Sequence, residues 1–429
     1  MSGRPLHRGS RSSIAHAAAR LIAIGLVSAL LAACANGSPA APPPSAGASS
    51  SPGPGSTATP SASAIPDTPS PVPPEPIVTE AVLFAVGDIM VHMPQLPAYY
   101  DPATGRYDLT PWFAQVKPIF AQGDWVIGNL ETPIAGRDLK YTGYPRFNAP
   151  DELAEAIADA GIRIVSTANN HSLDRGVPGV QRTLGTVRKA GLVPVGTSVS
   201  LTDSKRAVIE ERNGIRMGFL AYSYGTNGIP LPADRSYAVN LIEPEAIKRD
   251  IAKLRQAGAD AVTVSLHYGV EYQRQPNAQQ TGLARELVAA GADLILGSHA
   301  HVVQPYETID VPATESADGR PRQGVAIYSL GNFISNQTGD WKDVGVIFGV
   351  RVQKTAHPDG TADIELLEVS AEPTWVRIQR KKDKRHYTII PLRDAVERKL
   401  EADFTPQEYA RMEKMLNGLD KHLRSLQPK

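Results

Sequence analysis

A single cysteine in 429 residues, Cys34, leaves the thiol without a partner in the chain and excludes zinc sites built on thiolates. Neither sign of charge is in excess. Lys+Arg and Asp+Glu each number 44, so nothing in the composition points to nucleic acid as a partner. No internal repeat is visible, and the apolar stretch 21–33 is too short for a comfortable membrane span. What remains is ordinary globular material, 42% hydrophobic and 21% charged, enough for a sizeable core.

The ends of the chain differ from its middle. Arg4, Arg8, Arg11 and Arg20 form a basic head ahead of the apolar stretch, and Leu31-Ala32-Ala33-Cys34 follows. This resembles a bacterial lipobox, so residues 1–34 are expected to be a lipoprotein signal peptide with Cys34 acylated; an ordinary signal peptide with a stray cysteine is the alternative. Residues 35–78 are Pro, Ser, Ala and Gly with almost no large apolar groups, a composition that predicts a disordered, semi-extended tether. Together they predict an extracytoplasmic protein held to the membrane by a lipid anchor.

From 79 to 378 strand-like and helix-like runs alternate. AVLFAV (81–86), WVIGN (125–129), IRIVST (162–167) and AVTVSL (261–266) read as buried strands. The segments 149–160, 179–191, 244–258 and 279–290 read as amphipathic helices ended by glycine. Asn213-Gly214 marks a hairpin, and 324–376 carries at least three strand-like stretches. Mixed sheets with helices on both outer faces are the expected architecture. Residues 379–429 are expected to be a separate basic segment, 380–385, with a helical extension opened by the capping box Thr405-Pro406-Gln407-Glu408. The basic run reads as a solvated face or as a contact for anionic headgroups or polymer.

Polar residues of ligand type stand at the mouths of the apolar runs. They are Asp88 and His92; Asn129 and Glu131; Asn170, His171 and Asp174; His267; and His299 and His301. Ligands collect at strand ends in such folds, so five edges carrying these side chains read as one metal site. His299 and His301 are two apart, which on extended backbone points both the same way. Asp88, His92, Glu131, Asn170, His267, His299 and His301 are the candidate ligands for one or two divalent ions, with Mn, Fe, Zn and Mg all compatible. His171 is the candidate general acid, with Asp174 to orient it. Asn129 and Asn332 are candidate substrate-binding residues, Asn332 equally a holder of a loop near the site.

The blocks FAVGDIM, GNLETP, FNAPDELAEAIADAGIRIVSTANNHSLDRG, SLHYGVEY, LILGSHAHVVQ and YSLGNFISNQ resemble, in order over about 80–340, the bacterial capsule-synthesis CapA family associated with poly-γ-glutamate, a branch of the calcineurin-like metallophosphoesterases. The resemblance implies a four-layer α/β/β/α sandwich with the metal site at one edge of two sheets. It also implies ligand roles for Asp88, Asn170, His267, His299 and His301, and an acid role for His171. Two departures stand out. Met90 replaces the usual histidine of the first block, with His92 a candidate substitute, and Asn129-Leu130-Glu131 stands where a bridging aspartate is usual. Ser298 also sits where a glycine is usual. The expected function is a metal-dependent hydrolase or transferase on an anionic envelope polymer or its precursor, working with membrane capsule-synthesis proteins. A non-catalytic accessory for polymer assembly or export and a small-molecule metallophosphoesterase are the alternatives.

Overall fold

Four strands in parallel, β1 (Ile77–Ile89), β4 (Trp125–Leu130), β5 (Ile164–Ser166) and β6 (Val193–Val195), begin the first sheet. A two-residue hairpin, β2 (Tyr100–Asp101) and β3 (Arg106–Tyr107), stands apart from it. The second sheet takes β7 (Ile209–Arg212), β8 (Ile215–Ser223), β9 (Ala261–His267), β10 (Leu294–Ser298), β11 (Tyr306–Val311) and β12 (Arg322–Ile327) in the order β11-β12-β10-β9-β8-β7. The chain then returns. The short β13 (Asn332–Ile334) pairs with β1, and β14 (Val344–Ala356), β15 (Ala362–Lys381) and β16 (Lys384–Pro391) extend the first sheet to the order β16-β15-β14-β1-β4-β5-β6. This computed structural model describes residues 75–398 and 404–427. Cys34, the expected signal peptide and most of the expected linker lie outside them. Among the described residues no helix is long and apolar enough to cross a membrane.

Strand alternation sorts side chains into three cores. Leu83 and Ala85 of β1, Ile127 of β4, Phe219 of β8, Leu294 and Leu296 of β10 and Phe348 of β14 fill the space between the sheets. The opposite parity packs outward. Val126 and Val165 of the first sheet meet α2 (Glu152–Ala160) through Leu153 and Ile157, with the aromatic cluster around Trp112 and α1 (Lys117–Phe120) beside them. Val262, Val264 and Leu266 of the second sheet meet α5 (Pro244–Gln256) and α6 (Ala278–Ala289) through Ile251, Leu254, Leu287 and Val288. The four-layer α/β/β/α sandwich expected from the sequence is the observed fold. Helix α3 (Gly176–Lys189) covers the end of the first sheet, and α4 (Leu201–Ser204) is a single turn.

Two expected boundaries move. Ile77 and Val78, assigned to the linker, already pair with Ala356 and Thr355. The division at 378/379 is also incorrect. β15 runs on to Lys381, and the basic run forms the tip of a hairpin in which Lys381 pairs with Lys384. Beyond it, α7 (Leu392–Arg398) and α8 (Pro406–Leu423) bury Leu392, Met412, Leu416 and Leu419 in the same core as the two sheets. The capping box is present, with Thr405 accepting from the Glu408 amide.

Candidate metal centre

Pleat parity carries the ligands to one edge. Trp125 and Ile127 face the space between the sheets, so Asn129 and Glu131 continue on that side. In β9 the outward residues are Val262, Val264 and Leu266, which leaves His267 facing inward, and in β10 Leu294 and Leu296 leave Ser298 inward. β1 reaches the same edge through a bulge between Val86 and Asp88. Gly87 is required there, because a Cβ would meet the Gly331 carbonyl oxygen at 1.9 Å. The bulge sets Asp88 opposite Asn332 of β13.

Two groups of ligand-type atoms form at this edge, Glu131 with His267 and His299, and Glu131 with Asp88 and His301. Within each group the atoms lie inside 4.8 Å of one another, and all five residues are buried. In the first group His267 Nε2 is 3.4 Å from Glu131 Oε1 and 3.0 Å from Asn170 Oδ1. In the second, His301 Nδ1 is 3.0 Å from Asp88 Oδ2 and 3.1 Å from Asn332 Oδ1, and its Nε2 is 3.8 Å from Glu131 Oε1. Glu131 is common to both.

The electrostatics are those of a site missing positive charge. No N–H or hydroxyl donor reaches either Glu131 oxygen, and burial, then the neighbouring Asp88, pushes this carboxyl well above the usual range. Burial, then His299 and His301, holds His267 well below the ordinary imidazole value. His299 is pushed down to about 4 by burial and by His301, and its Nδ1 has no partner. His301 moves the other way: burial lowers it, but the hydrogen bond and charge of Asp88, then Glu271 and Asn332, together outweigh that. The imidazoles of His267 and His299, held neutral around a buried carboxyl to which no donor hydrogen-bonds, are a donor set for a divalent cation, which would supply that missing partner. The residues therefore fit a divalent metal of the oxygen- and nitrogen-binding kind, and none of them selects among Mn, Fe, Zn and Mg.

The histidine pair reaches the site by a route that its spacing does not reveal. His299 and His301 follow β10 rather than lying in it, and both have left-handed backbone, φ +91° and +56°. Residues other than glycine avoid this region, and such strain is concentrated at functional sites. Gly297 lets the turn begin, since a Cβ there would meet the Tyr328 carbonyl oxygen at 1.9 Å.

Asn170 and His171 come from the loop between β5 and α3. Asn169 anchors that loop, donating to the Leu130 carbonyl at 2.8 Å and accepting from the His171 amide at 3.1 Å. His171 Nδ1 donates to Asp174 Oδ2 at 2.8 Å, and the same oxygen accepts from the Phe147 amide at 2.7 Å. Phe147 packs edge-on against the His171 ring, 4.6 Å between centroids. Both His171 and Asp174 line a cleft of about 470 Å³ that Asn170 also borders.

Two expected assignments are corrected, and of the two readings of Asn332 the structure keeps the loop-holding one. His92 belongs to neither ligand group: its Nδ1 accepts from the Asn336 amide at 3.3 Å, and its ring stands edge-on to Phe147. Asn129 and Asn332 do not line the cleft. Asn129 is buried and donates to Asp88 Oδ1 at 2.8 Å, and its amide lies 3.2 Å from His267 Nδ1. Asn332, fully buried, joins His301 to the Lys342 carbonyl. Both hold ligands in place. Ser298, the departure from glycine, puts its hydroxyl 3.0 Å from His267 Nδ1. The sequence reading missed Asn227 and Glu271 of the cleft, and Tyr224, whose ring is 4.6 Å from that of His299. Glu271 lies four residues after His267, the only signal it offers.

The layers and the buried cluster at their shared edge define a four-layer α/β/β/α protein with a candidate metal centre at one edge of its two sheets. The chain belongs to the family described as bacterial capsule synthesis protein PGA_cap, which it matches over residues 82–337. It is 29% identical over 301 residues to the capsule biosynthesis protein CapA of Bacillus anthracis, covering 67% of this chain and 66% of that one. To the PGA biosynthesis protein CapA of Bacillus subtilis it is 32% identical over 265 residues, covering 59% and 62%. The chain thus spans a little under two thirds of the length of these relatives. Among solved structures it is similar to the calcineurin-like phosphoesterase YfkN from Bacillus subtilis, with a TM-score of 0.41 and 17% identity over 69% of this chain and 91% of that one.

Proposed function

We propose that this chain is a metal-dependent hydrolase or transferase acting on an anionic envelope polymer of the poly-γ-glutamate type, or on its precursor, from a lipid anchor at Cys34 outside the membrane. The observation that carries the reading is Glu131, buried between two histidine-containing groups with both oxygens unpartnered. Asp88 and His301, with Glu131, would hold one cation; Glu131, His267, His299 and Asn170 would hold a second. Bound divalent metal supplies Lewis acidity toward a phosphoryl or carbonyl oxygen and an activated nucleophile near neutral pH.

The remaining work falls to the cleft. Asp174 occupies Nδ1 of His171, so the proton offered to a leaving group is the one on Nε2, and Phe147 restricts the ring's tilt. The names of the Bacillus relatives support a capsule polymer as the substrate, and membrane capsule-synthesis proteins are the expected partners. His171→Ala is expected to abolish cleavage of γ-linked polyglutamate or phosphoester substrates while metal content stays near that of the parent. Turnover at the parent rate in this variant would overturn the acid role. A non-catalytic accessory that holds polymer carboxylates is the second reading, favoured by Met90, a buried apolar side chain where the related motif has a histidine. It predicts polymer binding unaffected by His171→Ala and no turnover at any metal concentration.

A further inference from the structure

The cleft beside His171 contains a cation that no described residue neutralises. Arg146 lines it together with Tyr144, Asn227 and Glu271. Its side chain is exposed, and among the described residues the guanidinium makes no hydrogen bond or ion pair, not even with Glu271 across the same cleft. Elsewhere exposed arginines beside acids do pair, as Arg106 does with Glu155 and Arg182 with Asp138. The backbone that carries Arg146 is fixed. Its carbonyl accepts from Thr142 Oγ1 and, at 3.1 Å, from Arg175 Nη2; Arg175 Nε also holds the Phe147 carbonyl at 3.1 Å. The next amide, of Phe147, is bonded to Asp174 Oδ2, the oxygen that orients His171. A free guanidinium is therefore mounted one residue from the segment that positions the candidate acid.

From this arrangement we infer that Arg146 is a specificity residue that grips an oxyanion of the substrate, a carboxylate or a phosphoryl group, next to the bond presented to His171. The planar fork suits either oxyanion. One cation with an acid, Glu271, in the same cleft suits a substrate unit carrying a single oxyanion and disfavours a run of phosphates. The inference rests on the hydrolase reading for its reaction but not for its binding.

The test is calorimetric titration of the full chain and of its Arg146→Ala and Arg146→Lys variants, with metal content measured on each. The probes are a short γ-linked glutamate oligomer, the same oligomer with its α-carboxyls amidated, and inorganic phosphate. The parent is expected to bind the free-carboxyl oligomer or phosphate, and whichever binds identifies the oxyanion. Arg146→Ala should weaken that binding about tenfold, the loss expected for one partly exposed charged hydrogen bond. Arg146→Lys should fall between, and any binding of the amidated oligomer should be unchanged. Equal binding of both oxyanion probes by parent and Arg146→Ala, or no binding of either by the parent, overturns the inference. Dependence on Arg146 without turnover would sink the hydrolase reading alone, whereas turnover with binding indifferent to Arg146 would sink the clamp alone.

Discussion

The ligand cluster at the sheet edge and the seam where α8 docks on β15 are both rich in buried charge, yet they use it in opposite ways. In the seam each charge has its partner. Arg377 forms a two-point bridge to Glu408 at 2.7 and 2.9 Å and stacks over Phe404. Asp343 accepts from Trp375 and Arg411, and Arg393 reaches Asp420. In the cluster Glu131, His299 Nδ1 and Asn129 Oδ1 are buried without partners. The same chemical groups fasten an element when paired and form a binding site when left open, because an unpaired buried charge is stabilised by whatever cation can reach it. Stability and function are thus separable by region in this chain.

The largest expected effect that sharpens the contrast is Arg377→Ala. It leaves Glu408 with only its capping-box bonds from Thr405 and should cost about 2–3 kcal/mol, below the full penalty for a buried pair because Glu408 is partly exposed and keeps those bonds. Urea unfolding measures the loss, and metal content should not change. A variant that lost metal along with stability would break the separation.

A smaller effect distinguishes the regions by pH, on chelated protein. His92 and His299 sit at about 4, both pushed down by burial, against an ordinary 6.5. The unfolded chain binds more protons between those values, so their contribution is present above pH 6.5 and is lost as pH falls toward 4. Glu372, in the seam, has the opposite sign. Burial raises it to about 7 against the pull of Arg393, so the folded chain holds the extra proton and stability falls as pH rises from 4.5 to 7. The two slopes oppose each other. Glu372→Gln keeps the bond from the Arg393 amide but removes the titration and the ion pair with the Arg393 side chain, so its loss of stability on acidification should be steeper than the parent's. Parallel profiles would show that the seam glutamate titrates normally.

Much of this was legible in the sequence because strand alternation with a polar end residue leaves a readable mark. VTVSLH and LILGS marked β9 and β10, and the same parity put His267 on the inner face. Two features left no such mark. The His299–His301 spacing suggests a strand, yet both residues lie in left-handed backbone, beyond a close approach of Gly297 to Tyr328 that the spacing does not reveal. Strand β16 was hidden because its hairpin turns on Lys382 and Asp383, both at positive φ, where an Asn-Gly pair would have signalled the turn. His92 misled because it lies only two positions after Met90 in sequence, while the short helix it caps, beginning at Met93, turns its ring toward Gln95 and Asn336.

The most direct test of the account is metal content per chain, by elemental analysis of parent and Glu131→Gln purified in parallel without chelator and with excess metal. Two equivalents in the parent, falling to one or none in Glu131→Gln, with a melting temperature of the chelated variant at or above that of the chelated parent, is the predicted result. One equivalent or none in the parent, or two retained in Glu131→Gln, would contradict a pair of cation positions sharing Glu131.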